Sequence, residues 1–390
     1  MGAGVRCGLD VQIERGFSAW KGRRLGVLTH AAAVSGELEP ILAAMSRFSL
    51  DLRVVFTPEH GLDGAAQDMQ AVREPDGAGP SRVSLYGADL ASLHPTAGAL
   101  DEIDLLVVDL QDVGSRYYTY AVSMRYCMQA CARAGAAVHV LDRPNPIDGL
   151  HMEGPLLQAD LRSFVGGFEV PVRHGLTLAE LARLACLEGV DVELSWTRAE
   201  GWERRMHFEQ TGLSWVLPSP NMPSPATALV YPGACLVEGT TLSEGRGTTR
   251  PFELVGAPWL DGPALATELA RRDLPGVRFR PADFTPTFHK HAGRSCHGVQ
   301  VHVCDRDTFT PFACGVQLLH AARLQSPEDF AWRAEPYEFV CDPPAIDRLY
   351  GSARLRELLD AGREPRELAA GWRREVETFA EKRRPILLYA

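Results

Sequence analysis

The chain has 390 residues, 45% hydrophobic and 23% charged, with 36 glycines and 27 prolines, the make-up of a folded, loop-rich protein too long for one hydrophobic core. A formal charge of −10 excludes the basic footprint of a nucleic-acid binder, and no run of about 18 apolar residues suggests a membrane span. The nine cysteines form no CxxC pair, which argues against a zinc knuckle or a disulfide framework and predicts reduced, mostly buried thiols.

Taken in chain order, the first ten residues lack the apolar core of a signal peptide, so a cytoplasmic protein is expected. Short Val- and Leu-rich runs then alternate with polar loops and helical stretches. The runs are Arg24–Leu28, Leu52–Thr57, Asp104–Leu110, Ala137–Leu141 and Val190–Trp196, each nearly continuous, as parallel strands buried on both faces require. Helices are predicted over Thr119–Ala134, ending on Gly135, and Leu176–Leu187, opening with Thr177 and Glu180 in capping-box spacing. The proline-rich stretch Pro218–Pro225 marks a boundary, since it continues neither a helix nor a central strand. Beyond it, shorter strands such as Val299–Cys304 are separated by helices at Pro263–Arg272, Phe312–Leu324, Ala353–Ala361 and Pro365–Arg383. The fold class is therefore α/β: a Rossmann-like N-terminal domain with a mostly parallel sheet over 1–228, and a smaller α/β auxiliary domain over 229–390 that completes the site.

Ligands of open α/β sheets lie beyond the carboxyl ends of the strands, and the loops there are polar. They are Thr57-Pro-Glu-His-Gly61, Gln111 to Tyr120, and Asp142 to Ile147. Converging carboxylates, guanidinium groups and aromatic rings suit a sugar, whose hydrolysis needs carboxylates to move protons and planar side chains to pack on ring faces. Glu59, Asp109 and Asp112 are the candidate carboxylates. Asp112 has a structural alternative as a helix cap near Ser115, and Asp109 as a loop anchor. Glu59 leads, because Pro58 and Gly61 pin a turn that presents it at the sheet edge, with no helix there to cap. His60 is either a base or a group that orients Glu59. Arg116, Arg143, Arg173 and Arg246 sit in loop contexts from which a ligand carboxylate could be gripped, surface ion pairs being the alternative. The segment Glu238–Glu253 gathers Glu238, Ser243, Glu244, Arg246 and Arg250 around three glycines, and is expected to close over the site. GxxxxGK[ST], GxGxxG, HExxH and GxSxG are all absent from their expected places, so nucleotide, metalloprotease and serine-hydrolase chemistry lack their motifs.

Together, PEHG at 58–61, QDVGSRYYTY at 111–120, LDRPNPI at 141–147, SPNMPS at 219–224 and LSEGRGTTRPFELVGAPW at 242–259 resemble the exo-β-N-acetylmuramidase family. RSFVG at 162–166, PVRHGLT at 171–177 and Cys296–Asp305 extend the likeness to nearly the whole chain. The resemblance implies a cleft between two domains, a terminal N-acetylmuramic acid cut from a β-1,4-linked partner, and Glu59 as the catalytic residue. With His60 beside Glu59, the candidate substrate contacts are Asp112, Arg116, Tyr117, Arg143, Asn145, Arg173, His174, Asn221, Glu238, Ser243, Glu244 and Arg246. A small muropeptide or saccharide is the implied partner, with no metal, cofactor, nucleic acid or membrane. The sequence departs from the family at Leu28-Thr-His-Ala31, where an Asn is usual, and at Asp63, where an Arg is common. A sugar-binding or sensing protein without turnover is the alternative that fold alone leaves open.

Overall fold

A computed structural model describes residues 4–73 and 79–390. In the first half, α1 (Gly8–Glu14) leads into β1 (Leu25–Thr29), α2 (Ile41–Arg47), β2 (Leu52–Thr57), β3 (Ser81–Ser84), α3 (Ala97–Leu100) and β4 (Leu105–Asp109). These are followed by α4 (Tyr120–Ala134), β5 (Ala137–Leu141), α5 (Leu178–Leu187) and β6 (Leu194–Thr197). The six strands make one parallel sheet in the order β3-β2-β1-β4-β5-β6. This is the doubly wound order, which reverses between β1 and β4.

Every residue of β1, β4 and β5 is buried, which is why their sequences read as unbroken apolar runs. Strand β3 gave no such signal: Ser-Arg-Val-Ser pairs on one side only and is largely exposed, and an edge strand tolerates polar residues. At the other edge, the expected strand Val190–Trp196 shortens to β6, whose burial is uneven for the same reason. Helix α4 ends on Gly135 at φ 74°, and Thr177 and Glu180 form the capping box that opens α5, both as the sequence predicts.

In the second half come α6 (Pro225–Ala234), β7 (Leu254–Ala257), α7 (Gly262–Ala270), β8 (Val277–Phe284) and β9 (Cys296–Val303), then α8 (Pro311–Gln325), α9 (Ala345–Tyr350), α10 (Arg354–Asp360) and α11 (Ala369–Arg383). The strands form an antiparallel sheet, β7-β9-β8. The boundary stretch closes on Ser224, whose hydroxyl accepts from the Thr227 amide, and Pro225 opens α6. Helices α6 and α8 touch through their backbones at Gly233 and Gly315. A Cβ on Gly315 would lie 2.2 Å from the Gly233 carbonyl oxygen, so only glycine lets them approach. The last residues return to the parallel sheet: the Tyr389 hydroxyl donates to Asp142, and Arg183 donates to the carbonyls of Pro385, Ile386 and Leu387. All nine cysteines are free; Cys304 and Cys341 are exposed and Cys186 is half-buried. Among the described residues, no helix is long and apolar enough to cross a membrane.

Candidate active site

Strand β2 delivers the chain to Pro58 and Glu59, and His60 (φ 73°) and Gly61 (φ 77°) then turn it sharply in the left-handed region. The Gly61 amide closes the turn on the Pro58 carbonyl at 3.1 Å. A non-glycine residue held at positive φ costs energy, and His60 is held by its own ring, whose Nδ1 lies 2.8 Å from the Ala66 carbonyl oxygen and therefore carries the proton. Glu59 is thereby buried, only 4% exposed, with Oε2 accepting from the Thr119 hydroxyl at 2.8 Å.

Glu59 and His60 face a cavity of about 400 Å³, counting the space open at its mouth. The first half of the chain also contributes Asp68, Tyr117, Tyr118, Thr119 and Asn221 to its wall; the second half contributes Tyr231, Glu238, Arg246, Phe252, Tyr337 and Glu338. Carboxylate oxygens of Glu59, Asp68 and Glu338 all lie within 4.8 Å of one another. Among the described residues, they are the group placed closely enough to ligate a cation. One oxygen each of Glu59 and Glu338 is already taken by the hydroxyls of Thr119 and Tyr86.

Arg246 is the guanidinium of the cavity. It donates to Glu238 at 2.6 Å, lies 3.4 Å from both Asp68 and Glu244, and stacks over Phe252. One arginine against several carboxylates leaves a surplus of negative charge in a buried space. Burial first, then the charge of Asp68, push the Glu59 carboxyl up to about 8, against the opposing pull of Thr119 and Arg246. Asp68 and Glu338 are raised as well, again chiefly by burial. His60 moves the other way, down to about 4 through burial, and is neutral at neutral pH. The cavity therefore offers a protonated carboxylic acid, further carboxylates beside it, and tyrosine rings for a sugar face.

Of the residues singled out from sequence, Glu59, His60, Tyr117, Asn221, Glu238 and Arg246 meet in this cavity. Glu244 stands behind Arg246, where Lys290 and His289 overcome its burial and hold it well below the usual carboxylate range. The others lie elsewhere. Arg116 gives its donors to the carbonyls of Pro155, Val170, Leu349 and Tyr350. Arg173 pairs with Asp148 and Glu153, and Arg143 with Asp109. Asp112 accepts from the Gly114 amide, with His174 at 3.8 Å, and burial pushes it up to about 7. Asn145 braces the loop after β5 by donating to the Leu176 carbonyl, and the Ser243 hydroxyl accepts from the Gly245 amide.

Sequence reasoning missed Asp68, Thr119, Tyr337 and Glu338. Thr119 lay inside a quoted motif, at the end of a tyrosine-rich run. Asp68 and Glu338 sit in aperiodic loops where nothing local separates them from surface acids; only long-range packing brings them to Glu59. One signal exists in the backbone: Glu338 (φ 47°) and Phe339 (φ 66°) are consecutive left-handed non-glycine residues, the kind of strain that gathers at functional sites.

Comparison with known proteins gives this arrangement a context. The curated relative "Peptidoglycan beta-N-acetylmuramidase NamZ" of Bacillus subtilis (strain 168) is 39% identical over 389 residues, 99% of this chain and 91% of its own. Crystal structures of two DUF1343 family proteins from Bacteroides fragilis superpose with TM-scores of 0.88 and 0.77 at 30% and 27% identity, each covering 99% of both chains. Residues 25–226 match the N-terminal part, and residues 229–389 the C-terminal part, of the family described as exo-beta-N-acetylmuramidase NamZ. Matched across both parts, the chain belongs to the exo-β-N-acetylmuramidase NamZ family.

Proposed function

We propose that this chain is an exo-acting glycosidase that releases terminal N-acetylmuramic acid from β-1,4-linked peptidoglycan sugars, with Glu59 as general acid and base and its two halves, 1–228 and 229–390, forming one catalytic unit. The observation that carries the reading is a buried carboxyl held protonated near neutral pH, in a tyrosine-lined cavity and within 4.8 Å of two further carboxylates. The name of the Bacillus relative supports the substrate class.

Glu59 gives its proton to the glycosidic oxygen as the bond from that oxygen to C1 breaks. Asp68 is the better placed of the two neighbours for the anionic role, because Arg246 and His289 face it at 3.4 and 3.8 Å, whereas Glu338 meets the Tyr86 hydroxyl. A spacing within 4.8 Å favours attack of Asp68 on C1, since retaining glycosidases place their carboxyls about 5–5.5 Å apart and inverting ones roughly 6.5–9.5 Å. Water then attacks C1, releases Asp68 and returns a proton to Glu59. The test is hydrolysis of a chromogenic β-glycoside of N-acetylmuramic acid, with the first-formed anomer read by NMR. Release of the β-anomer is expected; an α-product would overturn the retaining mechanism, and tight binding without release would make this a sugar-binding protein instead.

A further inference from the structure

N-Acetylmuramic acid differs from N-acetylglucosamine by a lactyl ether whose carboxylate is its only charged group, so a selective site needs an available cation. The obvious ones are occupied. Arg246 is shared among Glu238, Asp68 and Glu244. Lys290 gives its ammonium to Glu244 and to the carbonyls of Val237, Glu238 and Leu242. Arg348 donates both terminal nitrogens to carbonyls, Nη1 to Tyr337 and Nη2 to Val340, which leaves only its Nε without a partner among the described residues.

Arg333 is different. It lines a second, wider pocket of about 790 Å³, counting the space open at its mouth, that also carries His289, Lys290 and His291. Its guanidinium lies 5.1 Å over the ring of Tyr337, which lines the Glu59 cavity, and Nη2 reaches the sulfur of Met69, next to Asp68 in the chain. His289, also on the wider pocket, lies 3.8 Å from Asp68, which lines the Glu59 cavity. The Arg333 donors are poorly matched: Nη2 finds the Pro336 carbonyl and a thioether, and Nε is buried with no partner among the described residues. An unsatisfied buried donor costs free energy that an arriving acceptor recovers, and a planar guanidinium fits a carboxylate best.

We infer that Arg333 holds the lactyl carboxylate of the substrate, making the pocket beside it the subsite that distinguishes muramic acid from other amino sugars. This rests on the muramidase reading above, and the experiment keeps the two apart. The probes are a chromogenic N-acetylmuramic acid β-glycoside and its lactyl methyl ester, which differ in the carboxylate alone, assayed with wild type, Arg333→Met and Arg333→Lys. Met keeps an apolar stem on Tyr337, and the Tm of each variant checks the fold. The wild-type preference for the acid over the ester in kcat/KM is expected to fall roughly 10–100-fold in Arg333→Met, the range of a lost charge-assisted hydrogen bond, with Arg333→Lys in between. An unchanged acid-to-ester ratio would overturn the assignment while leaving the glycosidase intact. If wild type turns over neither probe, calorimetry with free N-acetylmuramic acid and its methyl ester decides. Acid-selective binding lost in Arg333→Met keeps the anchor and removes the glycosidase, whereas equal binding of acid and ester removes the anchor.

Discussion

Two buried carboxylates at the same end of the parallel sheet have opposite surroundings. At the point where strand order reverses, Asp109 closes β4 and receives a bidentate pair from Arg143, Nε to Oδ1 at 2.5 Å and Nη2 to Oδ2 at 3.0 Å. Next to it, His30 accepts from the Gln111 amide, so polar groups at the crevice that binds ligands in many doubly wound folds are taken up by internal contacts. One strand beyond β1, at the end of β2, Glu59 has no cation of its own: with Asp68, Glu238 and Glu338 it shares a cavity whose guanidinium is Arg246. Burial is almost the same at both places, and charge matching is not. Burial raises both carboxyls, but at Asp109 the charge and two hydrogen bonds of Arg143 oppose it, whereas at Glu59 the charge of Asp68 adds to it.

The sharpest test of that contrast is to neutralise each acid in turn. Glu59→Gln is expected to lower kcat by about 10²–10⁴-fold, the usual contribution of a general acid, with a fold at least as stable as wild type. Asp109→Asn strands Arg143 in the interior, so it is expected to lose about 3–5 kcal/mol of stability by denaturant melt while kcat per folded molecule stays near wild type. Swapped outcomes, with Asp109→Asn inactive yet stable, would reverse the assignment of the two sites.

The sequence carried much of one site and little of the charge balance that separates the two. Strands β1, β4 and β5 were legible because burial on both faces writes an unbroken apolar run, and Glu59 because proline and glycine pin its turn. The edge strands were not, since β3 buries too little to leave a pattern. Arginines looked alike in the sequence: Arg116, Arg143, Arg173 and Arg246 all fall in polar loops, yet three of the four serve as internal braces. What tells them apart is the acceptor each one meets across the fold, and that is a property of packing. Asp68 and Glu338 escaped for the same reason.

Arg246 links the comparison to pH. Substitution removes both a cavity-lining cation and the partner of buried Glu238 and Asp68, so activity and stability are expected to fall together, and a melting curve alone cannot isolate its role. The pH profile can. Arg246 pulls the Glu59 pKa down, so in Arg246→Gln, assayed on the folded fraction, the alkaline limb of kcat/KM is expected to move to higher pH than the wild-type limb near 8. The limb belongs to the carboxylate cluster as a unit, because closely spaced acids titrate together. A shift to lower pH, or none, would separate Arg246 from Glu59 electrostatically.

The smallest effect concerns stability. An acid whose pKa is raised on folding binds a proton in the native state that the unfolded chain gives up at lower pH. Its stabilisation is complete below the unfolded value of about 4.3 and is lost as pH rises towards the folded value of about 8. The Glu59 contribution to wild-type stability should therefore fall progressively across that window, against the opposite trend of the buried neutral histidines His30, His60, His139 and His174. Asp68 and Glu338 are raised too and add to the fall in both wild type and variant, so the difference between Glu59→Gln and wild type isolates Glu59. Glutamine cannot ionise. The Tm difference should be smallest at pH 4, grow in favour of the variant through pH 6 and level off above pH 8, at a gain of at least ~1 kcal/mol, or roughly 2–4 °C. A difference that stays flat with pH would mean that Glu59 is already ionised in the resting protein. The acid would then have to be sought in Glu338, whose carboxyl shares the cavity, accepts from the Tyr86 hydroxyl and is likewise raised, chiefly by burial.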